Sequence, residues 1–292
     1  MTRTSQNAIL APPPAAGRFL ELSVAPGADV AAVLRRVAEL APGAADGIGL
    51  GPSLASPAIH GLRPFRSLAG PGISIPATQR ALWVFLGGDD AGELVHRARS
   101  LVAGLGDGFV VEEDVASFQY AGGRDLSGFV DGTENPKGEH AARAALVAGA
   151  GPGLDGSSFA ATQRWVHDLA RLDRMSESDR DHVIGRRLEG DDEIPDAPPS
   201  AHVKRTAQES FEPESFLVRR SMPWGDAREH GLYFVAYGAT LDAFERILRR
   251  MVGEDDGIVD ALFRFTRAVT GGYYWCPPRN ESGKLDLRAL GL

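Results

Sequence analysis

The chain has 292 residues, 43% of them hydrophobic and 24% charged, with a formal net charge of −8. That composition suits a globular protein with room for two moderate domains or one large one, and its acidic balance argues against nucleic acid as a partner. One cysteine, Cys276, allows no intrachain disulfide, and the seven histidines show no zinc-type spacing and no H-E-x-x-H. Met1 to Gly17 contains neither a twin arginine nor an apolar run before a small-residue cleavage site, and no later run reaches the roughly 20 apolar residues that span a bilayer. The expectation is a cytoplasmic protein without a membrane partner.

In chain order, Phe19 to Val24 alternates as a strand does, and Asp29 caps a helix carrying Val30, Val33, Leu34, Val37 and Leu40. Ile48–Leu50 is a short strand, followed by a Pro/Gly-rich connection to residue 80. Ala81 to Leu86 reads as a buried strand. Asp90 caps a helix with Leu94, Ala98, Leu101, Val102 and Leu105, and Phe109 to Tyr120 contains the next strand. The order β-α-β-β-α-β is ferredoxin-like.

A similar order recurs. Ser158 to Leu169 alternates at Phe159, Ala161, Gln163, Trp165 and His167. Ser176 caps a helix running to about Arg187, Phe216–Val218 and Leu232–Tyr237 are strands, and Thr240 caps a helix with Leu241, Phe244, Leu248 and Met251. Helix over Ile258 to Phe265 and a strand over Gly272 to Trp275 complete the copy. The fold class is α+β, two ferredoxin-like domains with antiparallel sheets, divided as 1–125 and 126–292. A long proline-studded loop, Gly190 to Ser210, holds His202, and a loop of that length inside a compact domain is functional or disordered.

The segment Gly128 to Pro136, GFVDGTENP, places one carboxylate, Asp131, among turn formers. Glycines let the backbone approach a flat or bulky group, and a carboxylate there can move protons; Asp-Gly and Asn-Pro are equally ordinary turn signals. Taken in order, this segment, His202, and Phe216 to Gly225 resemble the dye-decolourising peroxidases, most closely the bacterial B-type (P-type) branch. The G-x-x-D-G signature falls on Gly128, Asp131 and Gly132, the proximal histidine on His202, and the distal arginine on Arg219, three residues before Met222-Pro223. The resemblance covers nearly the whole chain.

It implies haem b in the C-terminal half, with His202 as the iron ligand. Asp131 would move the proton of hydrogen peroxide, and Arg219 would stabilise charge as the O–O bond breaks. An oxidised haem would then return to rest in two one-electron steps taken from dyes, phenols or Mn(II). A carboxylate as acid–base group implies fastest turnover at acidic pH. Asp260 is either the partner of His202 or an exposed helix-start carboxylate. Gly132, Thr133, Ser221 and Phe234 are expected around the haem; Arg205 is the first choice for its propionates, ahead of Lys204 and Arg220; Met222 is a further candidate for the pocket wall. The branch often has asparagine where this chain has Ser221, so distal hydrogen bonding differs. Trp165, Trp224, Tyr274 and Trp275 are electron relays or plain packing. The alternative function is a haem-binding or haem-trafficking protein with incidental peroxidase activity. The resemblance also implies a homo-oligomer, a dimer or higher, and the leucine-bearing tail Lys284 to Leu292 raises docking into an encapsulin shell.

Overall fold

The computed structural model describes residues 5–292. The alternation beginning at Phe19 becomes strand β1 (Ala16–Val24), and the Asp29 carboxylate accepts the Ala31 amide at 2.9 Å to start helix α1 (Val30–Ala38). Strand β2 (Gly47–Leu50) and the one-turn helix α2 (Pro52–Ala55) follow. The Pro/Gly-rich connection carries a small hairpin, β3 (Leu68–Gly70) and β4 (Ile73–Ile75). Then come β5 (Leu82–Gly88), helix α3 (Ala91–Leu105) capped by Asp90, and β6 (Phe109–Phe118).

In the second half, helix α4 (Gly138–Ala145) precedes β7 (Ser158–His167). Helices α5 (Leu169–Asp173), α6 (Glu177–Ile184) and α7 (His202–Thr206) lead to strands β8 (Val218–Arg219), β9 (Met222–Gly225) and β10 (His230–Gly238). Helix α8 (Asp242–Met251) returns the chain to β11 (Thr266–Ala268) and β12 (Gly272–Cys276).

Three expectations shift. The helix expected over 258–265 shrinks to one 3-10 turn, Ala261–Arg264, because Asp260 caps Leu262 and the chain then leaves to pair with β7. The strand expected at 216–218 starts at Val218, because the Leu217 amide donates to Gln208 Oε1 at 2.8 Å. Thr240 does not sit at the cap of α8; that place is Leu241, although the Thr240 hydroxyl accepts the Asp242 amide at 3.3 Å.

Each half pairs its strands with the fourth beside the first, then the third, then the second: β6-β1-β5-β2, and β11 and β12 with β7, then β10, then β9 and β8. This is the ferredoxin-like order twice. The two sheets join edge to edge into a barrel-like ring, through Trp275 opposite Leu50 and Ser117 opposite Trp224. Alternation then sorts the side chains. Tyr233, Val235 and Tyr237 of β10 pack inside the ring with Phe19, Trp83 and Tyr274, whereas Leu232, Phe234 and Ala236 face outward toward α8. Phe19 stacks on Tyr233 with centroids 3.9 Å apart. Among these rings Glu21 is 1% exposed and accepts from Tyr233 Oη at 2.8 Å and Thr162 Oγ1 at 3.3 Å.

Candidate active site

The outward face of the second sheet carries Gln163, Trp165 and His167 from β7, and Leu232 and Phe234 from β10. Helix α8 lies over it with Phe244, Ile247, Leu248 and Met251, the i, i+3, i+4, i+7 spacing of one helical face. Between sheet and helix is a cavity, open at its mouth and walled mainly by apolar side chains. Its polar groups arrive from separate elements: His202 from α7, Arg219 from β8, and Asp131 from the 119–137 connection between β6 and α4.

His202 is the first residue of α7, and its carbonyl is held by Thr206 Oγ1 at 2.8 Å. Its Nδ1 lies 2.8 Å from Asp260 Oδ2; the other Asp260 oxygen accepts the Leu262 amide at 2.8 Å. Asp260 is 1% exposed, so the reading of an exposed helix-start carboxylate is corrected. A carboxylate at Nδ1 fixes the proton there. Nε2 makes no hydrogen bond among the described residues, which leaves it free in the way a metal-ligating nitrogen must be.

Asp131 Oδ1 is 3.9 Å from Arg219 Nε. Their proximity is built by the rest of the motif. Asn135 accepts the Arg219 amide at 2.8 Å and donates to the Arg219 carbonyl at 3.1 Å, so the turn is bolted to β8 at the arginine itself. Gly132 has φ +78, and a Cβ there would meet Asn135 Nδ2 at 2.8 Å. A larger residue would strain the turn and push away the amide that ties it to Arg219.

Of the other residues expected here, Phe234 and Trp165 line the cavity. Arg205 does not, which corrects its assignment to a propionate. It is buried against Asp256, with Nη1 and Nη2 each 2.7 Å from a carboxylate oxygen, and it donates to the Arg250 carbonyl at 2.6 Å, holding α7 against the end of α8. Thr133 also turns away, its hydroxyl donating to Asp191 at 3.1 Å. Gly132, Ser221, Arg220 and Met222 face a smaller neighbouring cleft instead. Lys204 pairs with Glu193 at 2.9 Å. Cys276 is enclosed in the barrel interior, and burial pushes its thiol well up, so it supplies no thiolate. Trp224 donates to the Trp165 carbonyl at 3.1 Å behind the wall, and Tyr274 and Trp275 are fully buried.

One polar group went unread in the sequence. His167 Nε2 is 3.0 Å from Asp125 Oδ1 and its Nδ1 is 2.6 Å from Thr266 Oγ1, all on the cavity wall. Burial alone would raise the Asp125 carboxyl, but the charge of His167 and hydrogen bonds from His167 and Ser127 hold it below its ordinary value. The available signal was the alternation of β7, which puts His167 on the same face as Trp165.

An apolar slot with one imidazole nitrogen unpartnered, and a carboxylate and a guanidinium also reaching in, fits an iron porphyrin. The comparisons agree. The family profile described as Dyp-type peroxidase, C-terminal, matches residues 122–281. A dye-decolorizing peroxidase of Brevibacterium linens is 31% identical over 93% of this chain and 80% of its own length. One of Mycobacterium tuberculosis is 34% identical over 74% of this chain, the match spanning 66% of that relative. Among solved structures, DyPB from Rhodococcus jostii RHA1 superposes with a TM-score of 0.84 at 31% identity, covering 93% of this chain and 95% of the other; a variant of it is in complex with heme. No helix among the described residues is long and apolar enough to cross a membrane. The chain therefore belongs to the Dyp-type peroxidase family, on the side of its B-type branch, and is a haem peroxidase of the dye-decolourising type.

Proposed function

We propose that His202 holds the haem iron through Nε2 and that Asp131 and Arg219 are the catalytic pair toward hydrogen peroxide. The haem supplies the redox chemistry, accepting oxidising equivalents from peroxide and passing them on singly. Asp260 keeps the His202 proton on Nδ1 and raises the basicity of Nε2. Asp131 takes the proton of the peroxide oxygen nearer the iron and returns it to the departing oxygen. Arg219, permanently charged, stabilises the negative charge that develops as that oxygen leaves.

The single observation that carries this reading is the His202–Asp260 bond in an apolar cavity that also receives Asp131 and Arg219. Binding haem without turning it over needs neither of the last two, which argues against a haem carrier. The test is an absorption spectrum. The purified protein should show a Soret band that changes on adding peroxide, and His202→Ala should lose the axial coordination.

We further propose dyes and phenols as donors, a cytoplasmic location, two domains over 1–125 and 126–292, and assembly into at least a dimer. A structure of an encapsulated DyP-type peroxidase from Mycobacterium smegmatis is 27% identical, with a TM-score of 0.82 over 94% of this chain. By that likeness the tail 284–292 is the segment to test for shell docking: its deletion should abolish co-purification with a shell protein.

A further inference from the structure

Beside the main cavity lies a smaller cleft that shares only Asp131 and Arg219 with it. Three arginines, Arg124, Arg219 and Arg220, line it with a single acidic residue, Asp131. Arg124 donates to the Gly128 carbonyl at 2.6 Å; Arg220 donates to the carbonyls of Arg219 at 2.9 Å and Leu10 at 2.6 Å. Carbonyls satisfy the N–H geometry but leave the charges uncompensated. Among the described residues, no carboxylate oxygen lies within 4.0 Å of a guanidinium nitrogen of either Arg124 or Arg220.

Two side-chain atoms of its lining residues, Arg220 Nε and Ser221 Oγ, are buried with no hydrogen-bond partner, and Ser221 is only 8% exposed. Desolvation lowers the Arg220 guanidinium below its ordinary value despite Tyr237 and Asp131, as expected of a cation removed from water without a counter-ion. A group in that position gains from an anion with two acceptor oxygens. Phe118 and Tyr120, 37% and 43% exposed, also line the cleft, as do Pro13 and Pro223. Cations in the lining, together with exposed flat apolar surfaces, define the ligand's shape.

We propose that this cleft binds small aromatic carboxylates, with the carboxylate on Arg124 and Arg220 and the ring against Phe118 and Tyr120. It thereby selects phenolic acids over neutral phenols as electron donors. The donor role rests on the peroxidase reading; the binding does not. In turnover, two phenolic acids each lose one electron and one proton from the phenol O–H, and one hydrogen peroxide takes both electrons and both protons to become two waters.

The experiment is calorimetric titration of the haem-loaded protein, without peroxide, using 4-hydroxybenzoate and its neutral analogue 4-hydroxybenzyl alcohol. The acid should bind about tenfold or more tighter than the alcohol, and Arg220→Gln and Arg124→Gln should each weaken the acid by about tenfold while leaving the alcohol unchanged. Because Arg220 also ties down the Leu10 carbonyl, Arg124→Gln and a loss of acid affinity with added salt provide the readout if Arg220→Gln does not fold. Equal affinity for acid and alcohol, or acid binding that survives both substitutions, overturns the proposal. A Soret shift on adding the acid that persists in both variants also overturns it, since the carboxylate would then be on the iron. An intact preference for the acid in a protein that fails to turn over peroxide would instead sink the peroxidase reading and leave the anion site standing.

Discussion

His202 Nδ1 sits 2.8 Å from Oδ2 of Asp260, a carboxylate that is 1% exposed and whose second oxygen is occupied by the Leu262 amide. The contact orients the ring and favours the tautomer that carries its proton on Nδ1. Asp260→Ala should weaken haem affinity by about 10- to 100-fold and shift the ferric/ferrous potential to more positive values, because the ligand loses electron donation. Haem titration of the apoprotein and spectroelectrochemistry check both. An unchanged potential would mean that the contact only packs the helix.

Asp131 and Arg219 should separate by the step they serve. Replacing Asp131 with Ala should slow the reaction with peroxide by about 10²- to 10⁴-fold, with the Soret band retained. Arg219→Ala should slow it too, and Arg219→Lys should rescue it poorly because a lysine lacks the planar fork. Stopped-flow mixing with peroxide reads the step directly. Rates untouched in both alanine variants would remove this pair from the mechanism.

Asn135 makes two hydrogen bonds to the backbone of Arg219. Asn135→Ala should destabilise the protein by about 1–3 kcal/mol, at ~0.5–1.5 kcal/mol for each bond. It should also slow peroxide reactivity, although residue 135 touches neither proposed catalytic side chain. Urea denaturation together with the stopped-flow rate tests this; a loss of stability without a loss of rate would show that β8 positions Arg219 unaided.

Glu21 gives a pH signature. Burial, with Glu113 adding to it, pushes its carboxyl up from 4.5 to about 7, against hydrogen bonds from Tyr233 and Thr162 that pull the other way. The folded state therefore holds the proton more tightly than the unfolded state. The resulting stability is fully present below pH 4.5 and lost as pH rises through about 7. At ~1.4 kcal/mol per pH unit the loss is about 3 kcal/mol. Urea midpoints of the haem-loaded protein should fall across that window, and Glu21→Gln should flatten the fall and be the more stable form at alkaline pH.

The sequence revealed what periodicity and short motifs can encode. Alternation along β7 and the apolar spacing of α8 were readable because burial imposes them, and Asp29, Asp90 and Ser176 marked helix starts because their side chains satisfy free amides. His202, Asp131 and Arg219 were readable only as an ordered set of motifs. What periodicity cannot carry is the direction of a long side chain. Arg205 is one turn from His202 in sequence, yet it is captured by Asp256, 51 residues away. The Asp125–His167–Thr266 group spans three segments: alternation along β7 places His167 on the cavity face, but nothing local joins it to Asp125 and Thr266. Helix α4 escaped because the positions it buries are Ala141 and Ala145, too small to mark an apolar face.

Strand β10 sends Phe234 to the cavity and the adjacent Tyr233 to the barrel interior, where it meets Glu21. A slip of a single residue in its pairing would exchange them. The phenol would then intrude on the greasy slot, and a benzyl ring would face a carboxylate stripped of its donor. Cofactor pocket and aromatic interior are two sides of one ribbon, and neither can be redesigned while the other is left as it was.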